Sequence, residues 1–134
     1  MIGLDTNILV RYIVQDNIRQ AKRATELIES MCTADDPGFI NLVVICEICW
    51  VLASGYKYDR EIIASIIRNM LTSVELMVEE SETVWRSLSA FEKGQAGLAD
   101  YIIGSHNQTK HTTTTYTFDR KAAKHQSLTL LTLK

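Results

Sequence analysis

Short apolar runs alternate with segments of helical period along the chain, and that alternation limits the fold more than any other feature of the sequence. Met1 to Leu4 is an apolar run that turns directly into Thr6 to Val14, where Ile8, Leu9, Tyr12 and Ile13 stand at helical spacing, with Asp5 or Thr6 near the N-cap. A second helix is predicted from about Asn17, with Ile18, Ala21, Ala24, Leu27, Ile28 and Met31 on one face, and it should stop near Asp35-Asp36-Pro37-Gly38. Phe39 to Val43 reads as a buried strand, and Val44 to Leu52 turns helical before Gly55. Behind an N-cap at Asp59, Ile62, Ile63, Ile66, Ile67, Met70 and Leu71 recur in pairs at helical spacing. Val74 to Val78 is predicted as a short strand, Ser81 opens a helix with Val84, Trp85, Leu88 and Phe91 inward, and Gly94 to Gly97 breaks it. Leu98 to Gln108 reads as a helix, and Thr112 to Phe118 and Leu128 to Leu133 as the last two strands. Strands alternating with helices predict an α/β fold on a mostly parallel sheet.

At 134 residues the chain is expected to be one domain, 1–134, able to bury a core without staples. With 46% hydrophobic and 22% charged residues, disorder and collagen-like repeats are excluded. The longest apolar stretches, Leu42 to Cys46 and Ile48 to Ala53, lie on either side of Glu47 and are too short for a membrane span, so no membrane association is expected. MIGLDTNILV has no basic segment before its apolar residues and does not read as a secretory signal, which predicts a cytoplasmic protein with reduced cysteines. A net charge of -2 argues, at face value, against a general polyanion binder.

That charge depends on what the acids are for. Glu79, Glu80 and Glu82 fall in a polar stretch that reads as a solvated face. Four other acids stand among apolar neighbours: Asp5 after Ile2-Gly3-Leu4, Glu47 within Leu-Val-Val-Ile-Cys-Glu-Ile-Cys-Trp-Val-Leu, Asp100 in Gly-Leu-Ala-Asp-Tyr-Ile-Ile, and Asp119 after Tyr-Thr-Phe. A carboxylate in apolar surroundings must be protonated, paired or bound to a cation. Asp5 and Asp119 are predicted at the carboxyl ends of strands, where open α/β sheets bind ligands, Glu47 about a turn into a helix, and Asp100 near a helix start. All four could converge on one edge of the sheet. Carboxylates so gathered would need a neutralising partner, and an all-oxygen donor set suits Mg²⁺ or Mn²⁺ rather than zinc. Taken singly, Asp5 can be a helix cap, Asp119 a turn residue and Asp100 a first-turn acid. Glu47, predicted mid-helix, caps nothing.

Other signals are weaker. Cys46-Glu47-Ile48-Cys49 has the spacing of a redox pair, but an acid between the thiols opposes a thiolate, and two core cysteines are expected. His106, His111 and His125 match no ligand or triad spacing and are expected to be exposed or locally bonded. No phosphate-binding glycine motif is present, and Asp5-Thr6-Asn7 lacks the second Asp of a haloacid dehalogenase-type phosphatase. Tyr12, Trp50, Trp85 and Tyr101 are expected in the core. Arg11, Arg19, Lys22 and Arg23, and again Arg120, Lys121 and Lys124, form modest basic clusters.

Four segments together resemble the PIN-domain ribonucleases, and within them the VapC-type toxins of type II toxin-antitoxin pairs: Leu4 to Tyr12, Val43 to Leu52, Ala99 to Ile103 and Tyr116 to Arg120. They occur in the family's order and span nearly the whole chain. The resemblance implies a PIN-like three-layer sandwich, with a mostly parallel sheet of four or five strands flanked by helices. It also implies RNA cleavage that leaves a 5'-phosphate and a 3'-hydroxyl. By matching position, Asp5, Glu47, Asp100 and Asp119 resemble the family's catalytic acids, which bind one or two Mg²⁺ or Mn²⁺ ions, and Thr6, Asn7 and Thr117 their polar companions. Arg11, Arg120 and Lys121 follow pocket acids and are candidates to hold RNA phosphates. A homodimer and a small antitoxin partner are also implied. Many relatives carry a further Asp where this chain has Gly97. The alternatives are a metal-dependent phosphatase or other nuclease on the same fold, and a non-catalytic RNA-binding or interaction module. With four acids assigned to a metal, the remaining side chains number 14 basic against 12 acidic, so the net charge does not exclude RNA.

Overall fold

The computed structural model describes residues 1–133, and their helices and parallel strands follow the order that the hydrophobic pattern predicts. They fall into two units, Met1–Ser81 and Glu82–Lys134.

In the first unit the N-terminal apolar run pairs at one point, Gly3 with Phe39 in parallel; Leu4 N donates to Phe39 O at 2.9 Å and Phe39 N to Ile2 O at 2.7 Å. The predicted first strand is therefore a single bridge that leads straight into α1 (Thr6–Val14), which buries Leu9 and Val10. Helix α2 (Ile18–Met31) starts at Asn17, whose side chain accepts from Gln20 N at 3.0 Å, and packs on α1. Its buried residues are Ala21, Ala24 and Ile28. Ile18, Leu27 and Met31, expected on the same inner face, are exposed, because the six-residue stripe is wider than the covered face.

Strand β1 (Gly38–Ile40) runs parallel to β2 (Leu76–Val78), with Phe39 opposite Met77. The strand predicted over Phe39 to Val43 ends at Ile40 because two side chains cap the helix behind it. Asn41 Oδ1 accepts from Val44 N at 2.9 Å, and Glu79 Oε1 accepts from Leu42 N at 2.8 Å. Glu79 is thus a helix cap as well as part of a polar stretch. Helix α3 (Leu42–Trp50) buries Val44, Ile45, Ile48 and Cys49, then loosens into a π-helical turn at Val51–Gly55. Helix α4 (Arg60–Thr72) buries Ile63, Ala64, Ile67 and Met70.

Helix α5 (Ser81–Lys93), which belongs to the second unit from Glu82 on, buries Val84, Ser87, Leu88 and Phe91, the spacing of one helix face. Trp85, predicted inward, lies about 100° round the helix from Val84 and is 40% exposed. Helix α6 (Leu98–Gln108) has the predicted bounds and buries Leu98, Tyr101 and Ile102. Strands β3 (Thr115–Thr117) and β4 (Leu128–Leu130) pair in parallel, each shorter than the run that predicts it. Helix α6 lies hard against the start of β4 at Gly104, where a Cβ would come within 2.2 Å of Ser127 Oγ. Among the described residues no helix is long and apolar enough to cross a membrane.

Candidate active-site carboxylates

In the first unit, Asp5 stands where the N-terminal bridge ends and α1 begins, so chain direction alone puts it at a strand's carboxyl end and a helix N-terminus. Its Oδ1 accepts from Thr6 N at 2.7 Å. Thr6 then reaches across to α3, where its hydroxyl donates to Glu47 Oε1 at 2.6 Å. One threonine therefore links two of the predicted acids, which are 42 positions apart in sequence. Asn7 is exposed beside them.

Asp5 and Glu47 are both exposed, which corrects the expectation that apolar sequence neighbours bury them. Helix α3 explains the difference. Val44, Ile45, Ile48 and Cys49 face inward, whereas Val43, Glu47 and Trp50 share the opposite face, with Val43 67% and Trp50 71% exposed. The apolar residues on both sides of Glu47 in sequence serve two different faces.

In the second unit, Asp100 is the third residue of α6 and is half-buried. Its Oδ2 accepts from Gly97 N at 3.1 Å, a bond that fixes the carboxylate across the first turn. Burial holds the Asp100 carboxyl above the usual carboxylate range; the Gly97 bond opposes that rise and the charge of Asp119 adds to it. Asp119 is exposed at the turn after β3, where its Oδ1 accepts from Lys121 N at 2.8 Å and Ala122 N at 3.0 Å. Thr117 Oγ1 accepts from Asp119 N at 3.0 Å. Gly97 thus takes part through its backbone N–H.

The donor chemistry of both pairs suits a hard divalent cation, being carboxylate oxygen without thiolate or imidazole. The repulsion between Asp100 and Asp119 is relieved by positive charge. Among the described residues no group of three or more His, Cys, Asp or Glu side chains stands ready to enclose a metal ion. Mg²⁺ does not require such a cage, since it keeps several waters and is held by one or two carboxylates together with substrate phosphates.

The remaining candidates resolve individually. Arg11 is engaged inside its own unit: its Nε donates to Gln20 Oε1 at 2.6 Å, and one terminal nitrogen to Asp16 Oδ1 and Tyr56 Oη, each at 3.0 Å. Tyr56 in turn donates to Asp16 Oδ2 at 2.6 Å, and no spacing in the sequence marks this network. A phosphate on Arg11 would have to share the guanidinium with Asp16. Arg120 and Lys121 are exposed. All three cysteines are free, and burial pushes the Cys49 thiol up to about 12, which suits core packing rather than redox chemistry. His125 is locally bonded, with Nδ1 2.7 Å from Ser127 Oγ; His111 is exposed; His106 is half-buried with Nδ1 unpartnered. Tyr101 is in the core as expected, Tyr12 is half-buried, and Trp50 is on the surface.

A search of curated proteins found no match to this sequence. The model of the PIN domain matches residues 2–127, a span that takes in all four acids and their polar companions. Members of that family are generally nucleases. With parallel strands leading into helices, and with acids at the turns where strand gives way to helix, the chain belongs to the PIN domain family.

Proposed function

We propose that the protein is a Mg²⁺- or Mn²⁺-dependent endoribonuclease, the toxin of a type II toxin-antitoxin pair, which hydrolyses RNA phosphodiesters. The observation that carries this reading is the complete acid set, Asp5, Glu47, Asp100 and Asp119, in a chain of a nuclease family. These four carboxylates would hold one or two divalent ions. A bound ion supplies Lewis acidity toward the phosphate and a water acidified for attack.

The chain's own residues prepare that chemistry. Thr6 donates to Glu47 and so holds its carboxylate in one orientation. Gly97 N–H does the same for Asp100. Lys121 and Ala122 occupy one oxygen of Asp119 and, among the described residues, leave the other without a hydrogen bond. Asn7 and Thr117 act as polar support, and Arg120 and Lys121 meet the phosphates flanking the scissile one. A lapsed binding module would have no reason to retain both acid pairs with their hydrogen-bond supports.

The homodimer belongs to the same proposal. Val43 and Trp50 give α3 an exposed apolar face that a second copy can cover. A small antitoxin would bind the toxin and mask its acids, and the cytoplasm is where both meet RNA.

Purified protein should cleave RNA when Mg²⁺ or Mn²⁺ is present, and Asp5→Asn should abolish cleavage with the circular dichroism spectrum unchanged. Cleavage that survives chelation, or persists undiminished in Asp5→Asn, would sink the metal mechanism. Turnover of a phosphomonoester with RNA untouched would instead make the protein a phosphatase.

A further inference from the structure

The second unit contains a cleft of about 760 Å³ between α5, α6 and the segment after Asp119, large enough for a nucleotide. Its lining includes Arg86 and Lys93 from α5, and Lys121 and Lys124 from the turn after Asp119, but no Asp or Glu. Among the described residues none of these four cations is in an ion pair. Four uncompensated cations around one concavity raise the local potential and favour an anion. The sequence reinforces the effect: residues 82–134 carry seven Lys and Arg against four Asp and Glu, whereas residues 1–81 carry seven against twelve.

The cleft is also a built feature. Its inner wall is Tyr101, 3% exposed, with His125 edge-on at 5.4 Å between ring centroids. The Tyr101 hydroxyl accepts from Ala96 N at 3.2 Å and takes the space beside Gly94, where a Cβ would fall within 2.0 Å of it. The four cations thus line a cleft whose aromatic wall is fixed in place. Asp100 immediately precedes Tyr101, and Lys121 donates its backbone N–H to Asp119, so the elements that present the acid pair also present the cleft.

We propose that this cleft binds the phosphate of a nucleotide, with Arg86, Lys93, Lys121 and Lys124 as its cationic contacts. The phosphate can belong to an RNA strand, as a monoanionic diester, or to a free nucleotide, as a monoester that is largely dianionic at neutral pH; both are anionic phosphates that the same cations can hold. This binding needs no metal and no cleavage, so its failure would leave the nuclease reading standing, although Lys121 is shared by the two.

The test is a titration of the ¹⁵N-labelled full chain in EDTA, where no cation can bridge phosphate to the carboxylates. Adenosine 5'-monophosphate is one probe and a six-nucleotide RNA the other. Amide shifts concentrated at Lys93, Lys121, Lys124 and Gln126 are expected. Lys93 and Lys124 are exposed, so Lys93→Gln with Lys124→Gln should leave the fold intact while weakening binding at least tenfold. For RNA, the loss of two phosphate contacts should reduce the salt slope of log K by about 1.4. Binding of the mononucleotide alone identifies a free-nucleotide site, and binding of RNA identifies a strand track. No shift with either probe, or equal affinity in the double variant, overturns the proposal.

Discussion

Thr6 carries more of the candidate chemistry than its type suggests. A threonine at the first position of a helix is ordinary, yet this one both closes on Asp5 through its N–H and holds Glu47 through its hydroxyl. If the carboxylates bind metal, Thr6 is a positioning residue, and supports of this kind are worth about 10–100-fold in metal affinity or activity. Thr6→Val keeps the shape and removes the donor. It should lower RNA cleavage by about that factor and raise the Mg²⁺ concentration needed for half-maximal rate, with Thr6→Ser restoring both. A merely structural threonine would leave the metal requirement unchanged. Asp5 and Thr6 were visible from the sequence, because a strand that turns directly into a helix must place some residue at the junction. Their bond to Glu47 was not, since nothing local specifies which residue of α3 faces the start of α1.

At the scale of elements, capping decides where strand gives way to helix. Asn41 and Glu79 satisfy two of the free N–H groups at the start of α3, the helix that carries Glu47. Asn41→Ala should cost about 1 kcal/mol in denaturant unfolding, and a midpoint unchanged from wild type would show that Glu79 alone suffices. Local pattern was enough to predict α6 to the residue, because Gly94 to Gly97 stops α5 and Leu98, Tyr101 and Ile102 restart a helical period. It failed where the outcome depends on which face is covered. The strands shrink to three residues because their ladders are short, and Trp50 and Trp85 turn outward because their helices bury a different side. The same rotation exposes Glu47. A run of apolar letters records the sum of two helix faces, and only the three-dimensional structure separates them.

Charge is the property that belongs to the whole molecule. Its formal value of -2 hides an acidic first part and a basic second part, and this division places the unpaired cations of the cleft in the same unit as Asp100 and Asp119. Arg86 and Lys93 share a helix face, but Lys121 and Lys124 lie some 30 positions on, so composition alone could not assemble them. If the acids of that unit hold a metal, stability depends on pH and on metal together. Asp100 is held above the usual carboxylate range, first by burial, with the Gly97 bond opposing and the charge of Asp119 adding. The native state therefore keeps that proton more tightly than the unfolded chain does. Its contribution to stability is full in acid and is lost as pH rises from the ordinary carboxylate value through the raised native one. Asp100→Asn removes the charge while its side-chain oxygen can still accept from Gly97 N–H. In EDTA at pH 7 the variant should melt above wild type, and the difference should close as the pH falls below the ordinary carboxylate range. Mg²⁺ should reverse the order, because a cation bound only to the native state adds about 2.7 kcal/mol at a hundred times its Kd, and the variant has lost one of the carboxylates that attract it. Thermal melts of both proteins across pH, with EDTA and with Mg²⁺, measure this directly. If the variant melts below wild type in EDTA at pH 7, burial does not dominate at Asp100; if both proteins gain equally from Mg²⁺, Asp100 is not among the metal ligands.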